Sequence, residues 1–116
     1  MTAPALRLCC CVPYCRHTRG SRKNDPLPAD LAGWEWICAA HWRPVPWPIK
    51  ARRRQLDRRV ARFERAFDRP AYRTKLMTTG RYDAFAAAMN RARAGARQGW
   101  ATCRDTAIEI AMGIAG

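Results

Sequence analysis

Two short stretches decide how this chain folds: Cys9-Cys10-Cys11-Val12-Pro13-Tyr14-Cys15, and Trp34-Glu35-Trp36-Ile37-Cys38-Ala39-Ala40-His41-Trp42. Each carries a pair of soft metal-ligand side chains at close spacing, Cys10-x4-Cys15 and Cys38-x2-His41. A structural zinc ion takes four N or S ligands in a tetrahedron and keeps no open position. Pro13 favours a tight turn between Cys10 and Cys15, which aims both thiolates at one point. Cys38 and His41 sit about one helical turn apart at the end of an aromatic stretch, Trp34–Ile37, that reads as a short strand. The expectation is one structural Zn2+ held by Cys10, Cys15, Cys38 and His41. It would clamp a segment with too little apolar material to fold alone.

The register of the first half-site stays open at this level. Cys9, Cys10 and Cys11 are adjacent, and only one of them can readily serve beside Cys15. Cys10 is favoured because its wider loop leaves room for Val12-Pro13-Tyr14, and Cys11 is its main competitor. His17 could replace a thiolate, but its position two residues after Cys15 points it elsewhere. The alternative without metal is free or disulfide-bonded cysteine. Three consecutive cysteines beside Cys-x-x-His make a poor disulfide framework, and in a reducing cytoplasm clustered cysteines are more often ligands. The start, MTAPALRLCCCVP, lacks the basic and long apolar regions of a signal peptide, and no apolar run reaches the ~20 residues needed to cross a bilayer. A cytoplasmic location is therefore expected.

Composition changes near Pro48. Residues 1–47 hold five of the six cysteines, both histidines and four of the five tryptophans, with breakers at Gly20-Ser21, Asn24-Asp25-Pro26 and Pro28. They read as a zinc-finger module, and residues 48–116 as a basic helical region. Pro48 suits a first helical turn. Beyond it Leu56, Val60, Phe63 and Phe67 recur on one helical face, which ends near Arg69-Pro70. A second helix is expected after Thr79-Gly80, with Tyr82, Phe85, Met89 and Ala92 on one face and a break or kink at Gly95 and Gly99. A last helix over about 99–112 carries Trp100, Cys103, Ala107, Ile110 and Ile114. The stripes must be buried, so an antiparallel bundle is expected, with a homodimer as the alternative to a monomer.

Positive residues number 22 against 9 acidic ones, for a net charge of +13 and a pI near 10.7. Such an excess attracts polyanions, of which nucleic acid is the commonest in a cell. The plainer explanation is an arginine-rich coding bias, since only Lys23, Lys50 and Lys75 are lysine. On the first helix Arg52, Arg53, Arg54, Arg58, Arg59 and Arg62, with Arg65 beyond them, are the candidates to track a phosphate backbone. The same face could instead be solvated, or dock on an acidic host protein. Trp34, Trp36, Trp42 and Trp47 read as a small core over the zinc site rather than as base-stacking platforms. Cys103 reads as a buried small side chain. Catalysis is not expected. The better-placed histidine is spent on zinc, and no acidic pair, orienting acid or oxyanion hole accompanies the cysteines.

The motifs Cys10-x2-Pro13-x-Cys15, Thr18-Arg19-Gly20 and Trp36-x-Cys38-x2-His41-Trp42, then Val45-Pro46 before a basic helix, resemble small zinc-finger proteins of proteobacterial phages and prophages. Trp100-x2-Cys103 followed by Ala107-Ile108-Glu109 is similar to the tail of that group. Tyr14 stands where glycine is usual, and Cys11 where a small residue is. The resemblance implies a zinc module and a phage or prophage origin, and supplies no mechanism. The expected fold is thus a small zinc-stapled α+β protein: an irregular treble-clef-like Cys3His finger with a short hairpin, then about three α-helices. Its expected role is non-catalytic binding of DNA or RNA as a regulator or accessory factor, with an adaptor for an acidic host protein as the alternative.

Overall fold

The computed structural model describes residues 6–113; the first five residues and residues 114–116, among them Ile114, lie outside them. These residues form two compact units. One comprises the chain up to Val45 together with the residues from Arg104 onward, and the other is Pro46–Cys103.

The first unit is built on a two-residue hairpin, β1 (Leu8–Cys9) paired antiparallel with β2 (Thr18–Arg19), in the register Leu8 opposite Arg19 and Cys9 opposite Thr18. Leu8, Val12, Ile37 and Val45 are its buried aliphatics, and Ala107 is buried as well. Arg19 is buried beside them, its guanidinium paired with the Asp25 carboxylate at 3.0 Å and donating to the Asp25 carbonyl. A buried charge needs such pairing. Arg22 and Asp25 exchange both backbone hydrogen bonds (3.2 and 3.1 Å) around Lys23 and Asn24, so a turn sits just before Pro26, where breakers were read.

Trp34–Ile37 does not become a strand. It is tied by a single parallel bridge between Cys10 and Trp36, and by the Cys11 amide donating to the Trp36 carbonyl at 2.8 Å. A hairpin two residues deep offers no edge long enough to extend a ladder. The tryptophans also differ from expectation. Trp36 and Trp42 are half-buried, but Trp34 and Trp47 are exposed. After Cys38 a four-residue helix, α1 (Ala39–Trp42), begins with the amides of His41 and Trp42 both donating to the Cys38 carbonyl.

The second unit is helical. α2 (Trp47–Phe67) starts with proline in its first turn, where the missing N–H costs nothing. Arg69 is extended because the following proline disfavours the helical region for it, and α2 stops there. Pro70 then opens α3 (Pro70–Thr78), a helix that the periodicity did not predict: only Leu76 of its nine residues is buried, so it carries no apolar stripe to read. Gly80, at φ +70°, ends it, with the Arg81 amide returning to the Leu76 carbonyl at 3.0 Å.

α4 (Tyr82–Ala111) is one helix of 30 residues, against the expected break at Gly95 and Gly99. α2 and α4 pack antiparallel: Cys103 lies against Ile49, Trp100 against Arg53, Gly99 and Gly95 against Leu56, and Phe85 against Phe63 and Phe67. A Cβ at Gly99 would stand 2.7 Å from Leu56 Cδ1 and 3.5 Å from the Arg53 Cα. Glycine at 99 therefore marks close approach of two helices rather than a break. Cys103 is 0% exposed, as read, and its thiol donates to the Ile49 carbonyl at 3.7 Å. Burial pushes that thiol above its usual pKa, against the opposing pull of Arg53 and Lys50. Among the described residues no helix is long and apolar enough to cross a membrane.

Candidate metal centre and basic face

The turn after β1 presents the first two candidate ligands. The Cys15 amide donates to the Val12 carbonyl at 3.1 Å, closing a four-residue turn with Pro13 second and Tyr14 third. Tyr14 has φ +67°, the left-handed value that a type II turn requires at its third residue. The departure from glycine noted in the sequence thus falls on the one residue here whose backbone asks for it. Cys10 is anchored by its amide, which donates to the His17 carbonyl at 3.0 Å across the base of this loop. The second pair comes from α1, with Cys38 at its N-cap and His41 three residues on.

These two half-sites meet. The ligand atoms of Cys10, Cys15, Cys38 and His41 all lie within 4.8 Å of one another, close enough to coordinate one metal ion. Cys15 Sγ is 3.9 Å from Cys38 Sγ, and His41 Nδ1 is 3.2 Å from Cys38 Sγ and 3.7 Å from Cys10 Sγ. Nδ1 is therefore the inward nitrogen of His41, and the ring proton sits on Nε2 when Nδ1 is a ligand. Cys10 and Cys38 are buried, and Cys15 and His41 are half-buried.

The electrostatics favour a thiolate at Cys10. Burial alone would push its thiol up, but amide donors from Cys38 and Val12, then the thiols of Cys15 and Cys38, outweigh burial and hold it below the usual value. The Cys38 amide lies 3.3 Å from the Cys10 sulfur. At Cys15 the backbone at His17 pulls the thiol down, yet desolvation and the neighbouring sulfurs of Cys10 and Cys38 leave it raised. The surroundings thus pull the Cys10 thiol down and push the Cys15 thiol up. A cation resolves that conflict, since it lets neighbouring thiolates coexist.

The remaining cysteines stand apart from the group. Cys9 is exposed on β1, and the Cys11 thiol points at the Glu35 carboxylate, 3.8 Å away. Burial, with the nearby Glu35 charge adding to it, raises the Cys11 thiol. Glu35 is itself held by Arg104 of α4 through paired contacts of 2.9 and 3.0 Å. His17 does not point away, as its spacing suggested. Its Nδ1 lies 3.4 Å from Cys15 Sγ, outside the four-ligand group but touching one member. This contact was not legible in the sequence, where only proximity to Cys15 hinted at it.

The structure divides the candidate arginines of α2. Arg52, Arg58, Arg59 and Arg62 line one groove of about 670 Å3 with Arg65. Arg54 is exposed without joining the groove lining. Arg53 turns to the helix-packing side, where its guanidinium lies 5.0 Å from the Trp100 ring centre and pairs with Asp57 at 3.4 Å. No protein-family model matches the chain, and neither does any curated protein or solved structure.

Proposed function

We propose that the chain is a zinc-stapled, non-catalytic nucleic-acid-binding protein, in which a treble-clef-like finger holds the N-terminal unit together and the arginine groove of α2 meets phosphates. The observation that carries the zinc reading is the size of the ligand cluster. Tetrahedral zinc with ordinary Zn–S and Zn–N bonds has S···S edges of about 3.8 Å and S···N edges of about 3.6 Å. Three of the six ligand separations, 3.9, 3.7 and 3.2 Å, lie close to that frame, and all six fall within 4.8 Å. Three thiolates and one imidazole are a soft donor set that suits Zn2+ over Mg2+ or Ca2+. A turn bearing two ligands, followed by a helix start bearing two more, is the treble-clef pattern. Four protein ligands close the coordination sphere, which makes the role structural. Three thiolates on Zn2+ leave one net negative charge, and the Cys38 amide, 3.3 Å from the Cys10 sulfur, donates toward it.

Nucleic-acid binding draws its support from the net charge and the five arginines on one groove. Residues three or four apart on a helix step about 4.5–6 Å along its axis, so this row presents repeated guanidinium groups to a repeating anion. The resemblance of the Trp36-x-Cys38-x2-His41-Trp42 signature to phage zinc fingers supports a regulator or accessory factor in phage or prophage biology. The test is a binding titration against salt. Retardation of random duplex DNA near 50 mM salt, with log affinity falling by about 0.9 per phosphate contact, is expected. Replacing Arg58, Arg59 and Arg62 together by Gln should shallow that slope by about 2 to 3. A chain that ignores DNA and RNA at low salt but captures an acidic host protein would be an adaptor instead.

A further inference from the structure

Beside the arginine groove lies a second depression, of about 430 Å3, lined by Arg59, Arg62, Phe63, Ala66, Tyr72 and Phe85. Its chemistry differs from that of its neighbour. Rings form its walls: Phe63 and Phe85 meet edge to face at 5.5 Å, and Tyr72 meets Phe85 in the same way at 5.6 Å. Phe67 stacks on Phe85 at 6.1 Å and supports it. Only Arg59 and Arg62 bring charge, and both also line the arginine groove. An aromatic slot and a cationic strip thus share two residues.

We infer that this slot seats an unstacked base of a single-stranded nucleic acid whose phosphates run along Arg59, Arg62 and the arginine groove. The inference rests on the nucleic-acid reading and narrows it to a strand class. A duplex keeps its bases stacked on one another, so its backbone could satisfy the arginines while leaving the slot empty. A single strand supplies both chemistries in each residue, a flat π-face for the slot and an anion for the guanidinium groups beside it. The charge row favours a polymer of regularly spaced anions over a peptide with scattered carboxylates. Tyr72 is the wall most open to solvent, at 36% exposed, and so the first ring a base would meet.

The experiment titrates the full chain with a labelled 12-nucleotide mixed-sequence DNA strand, the same strand with abasic sites, its duplex, and polyglutamate, all near 50 mM salt. The intact strand should bind at least about fivefold more tightly than the abasic strand, because one stacked base contributes that much. Tyr72→Ala should weaken binding of the intact strand by a similar factor, leave the abasic strand unaffected, and keep the salt slope. Tyr72→Phe should retain the affinity. Equal binding of intact and abasic strands, or a duplex bound as tightly as the single strand, overturns the inference and leaves the nucleic-acid reading standing. That comparison uses the wild-type chain, so it holds even if Tyr72→Ala fails to fold. No binding to any of the nucleic acids removes both, and polyglutamate bound as tightly as the strand overturns the inference, because a polymer without a flat face would then satisfy the same surface.

Discussion

Tyr14 holds the left-handed turn between two metal ligands while its side chain is 96% exposed. Nothing packed around the ring compensates for the backbone, since a side chain so open has few neighbours. An L-residue in this region costs about 1–2 kcal/mol, part of which glycine gives back through its greater unfolded-state freedom. Tyr14→Gly should therefore raise stability by up to about 1 kcal/mol and keep the metal, whereas a β-branched Tyr14→Val should lower it. Thermal unfolding of the metal-loaded protein reads both. The ligands themselves give a sharper expectation. Cys10→Ala, Cys38→Ala or His41→Ala should each lose the bound zinc, and Cys9→Ala, Cys11→Ala and Cys103→Ala should each retain it at one per chain. Elemental analysis decides, and zinc lost on changing Cys103 would contradict the ligand set. At this scale the sequence was informative because ligand chemistry is local: spacing alone singles out Cys15, Cys38 and His41, and the wider loop to Cys15 favours Cys10. Loop width did not settle the competition of Cys10 with Cys11, however. That choice depends on which amides meet Trp36 and His17 across the chain, and no spacing encodes that.

Among the elements, α4 shows how a helix breaker can be misread. Gly95 and Gly99 weaken helix propensity by about 1 kcal/mol each, and in isolation a break between them is reasonable. Packing against α2 overrides that preference, as tertiary contacts commonly do. The two positions differ, however, in what they face. A methyl at 95 would sit 3.5 Å from Leu56, an ordinary contact, and nothing in the structure requires glycine there. At 99 it would meet Leu56 at 2.7 Å with the α2 backbone close behind. Gly95→Ala should thus stabilise the helical unit by about 0.5–1 kcal/mol through propensity alone. Gly99→Val should destabilise it by about 1–3 kcal/mol, by forcing α2 and α4 apart. Denaturant midpoints measure both, and a Gly99→Val protein as stable as wild type would remove the close-approach explanation. α2 was legible because Leu56, Val60, Phe63 and Phe67 repeat along one face; α3 was not, because only one of its nine side chains is buried.

For the whole molecule, the question is how far metal-dependent order extends along the chain. The N-terminal unit has few buried aliphatics, and two of its buried side chains, Cys10 and Cys38, are candidate ligands. The helical unit has its own interior, with an aromatic cluster around Phe85 and buried Leu76, Ala92 and Cys103. α4 belongs to both, since its residues from Arg104 onward fall in the first unit, where Arg104 pairs with Glu35 and Ala107 is buried. A strong chelator should then abolish hydrogen-exchange protection from Leu8 to Val45 and in the last two turns of α4. It should leave α2, α3 and the earlier part of α4 protected, with most far-ultraviolet helical signal intact. Acid should act in the same way. Zinc binding displaces protons from the ligand thiols, and the Cys10 thiol is already held low by its donors. If the four ligands hold zinc as proposed, the stability it adds should be present near neutral pH and lost as pH falls and protons compete for sulfur. Protection at Leu8–Val45 that survived chelation would mean that the first unit folds without a cation, and a structural role for the four ligands would then fail. Collapse of the whole chain would instead mean that α4 transmits order from one unit to the other, since that helix is the element both contain.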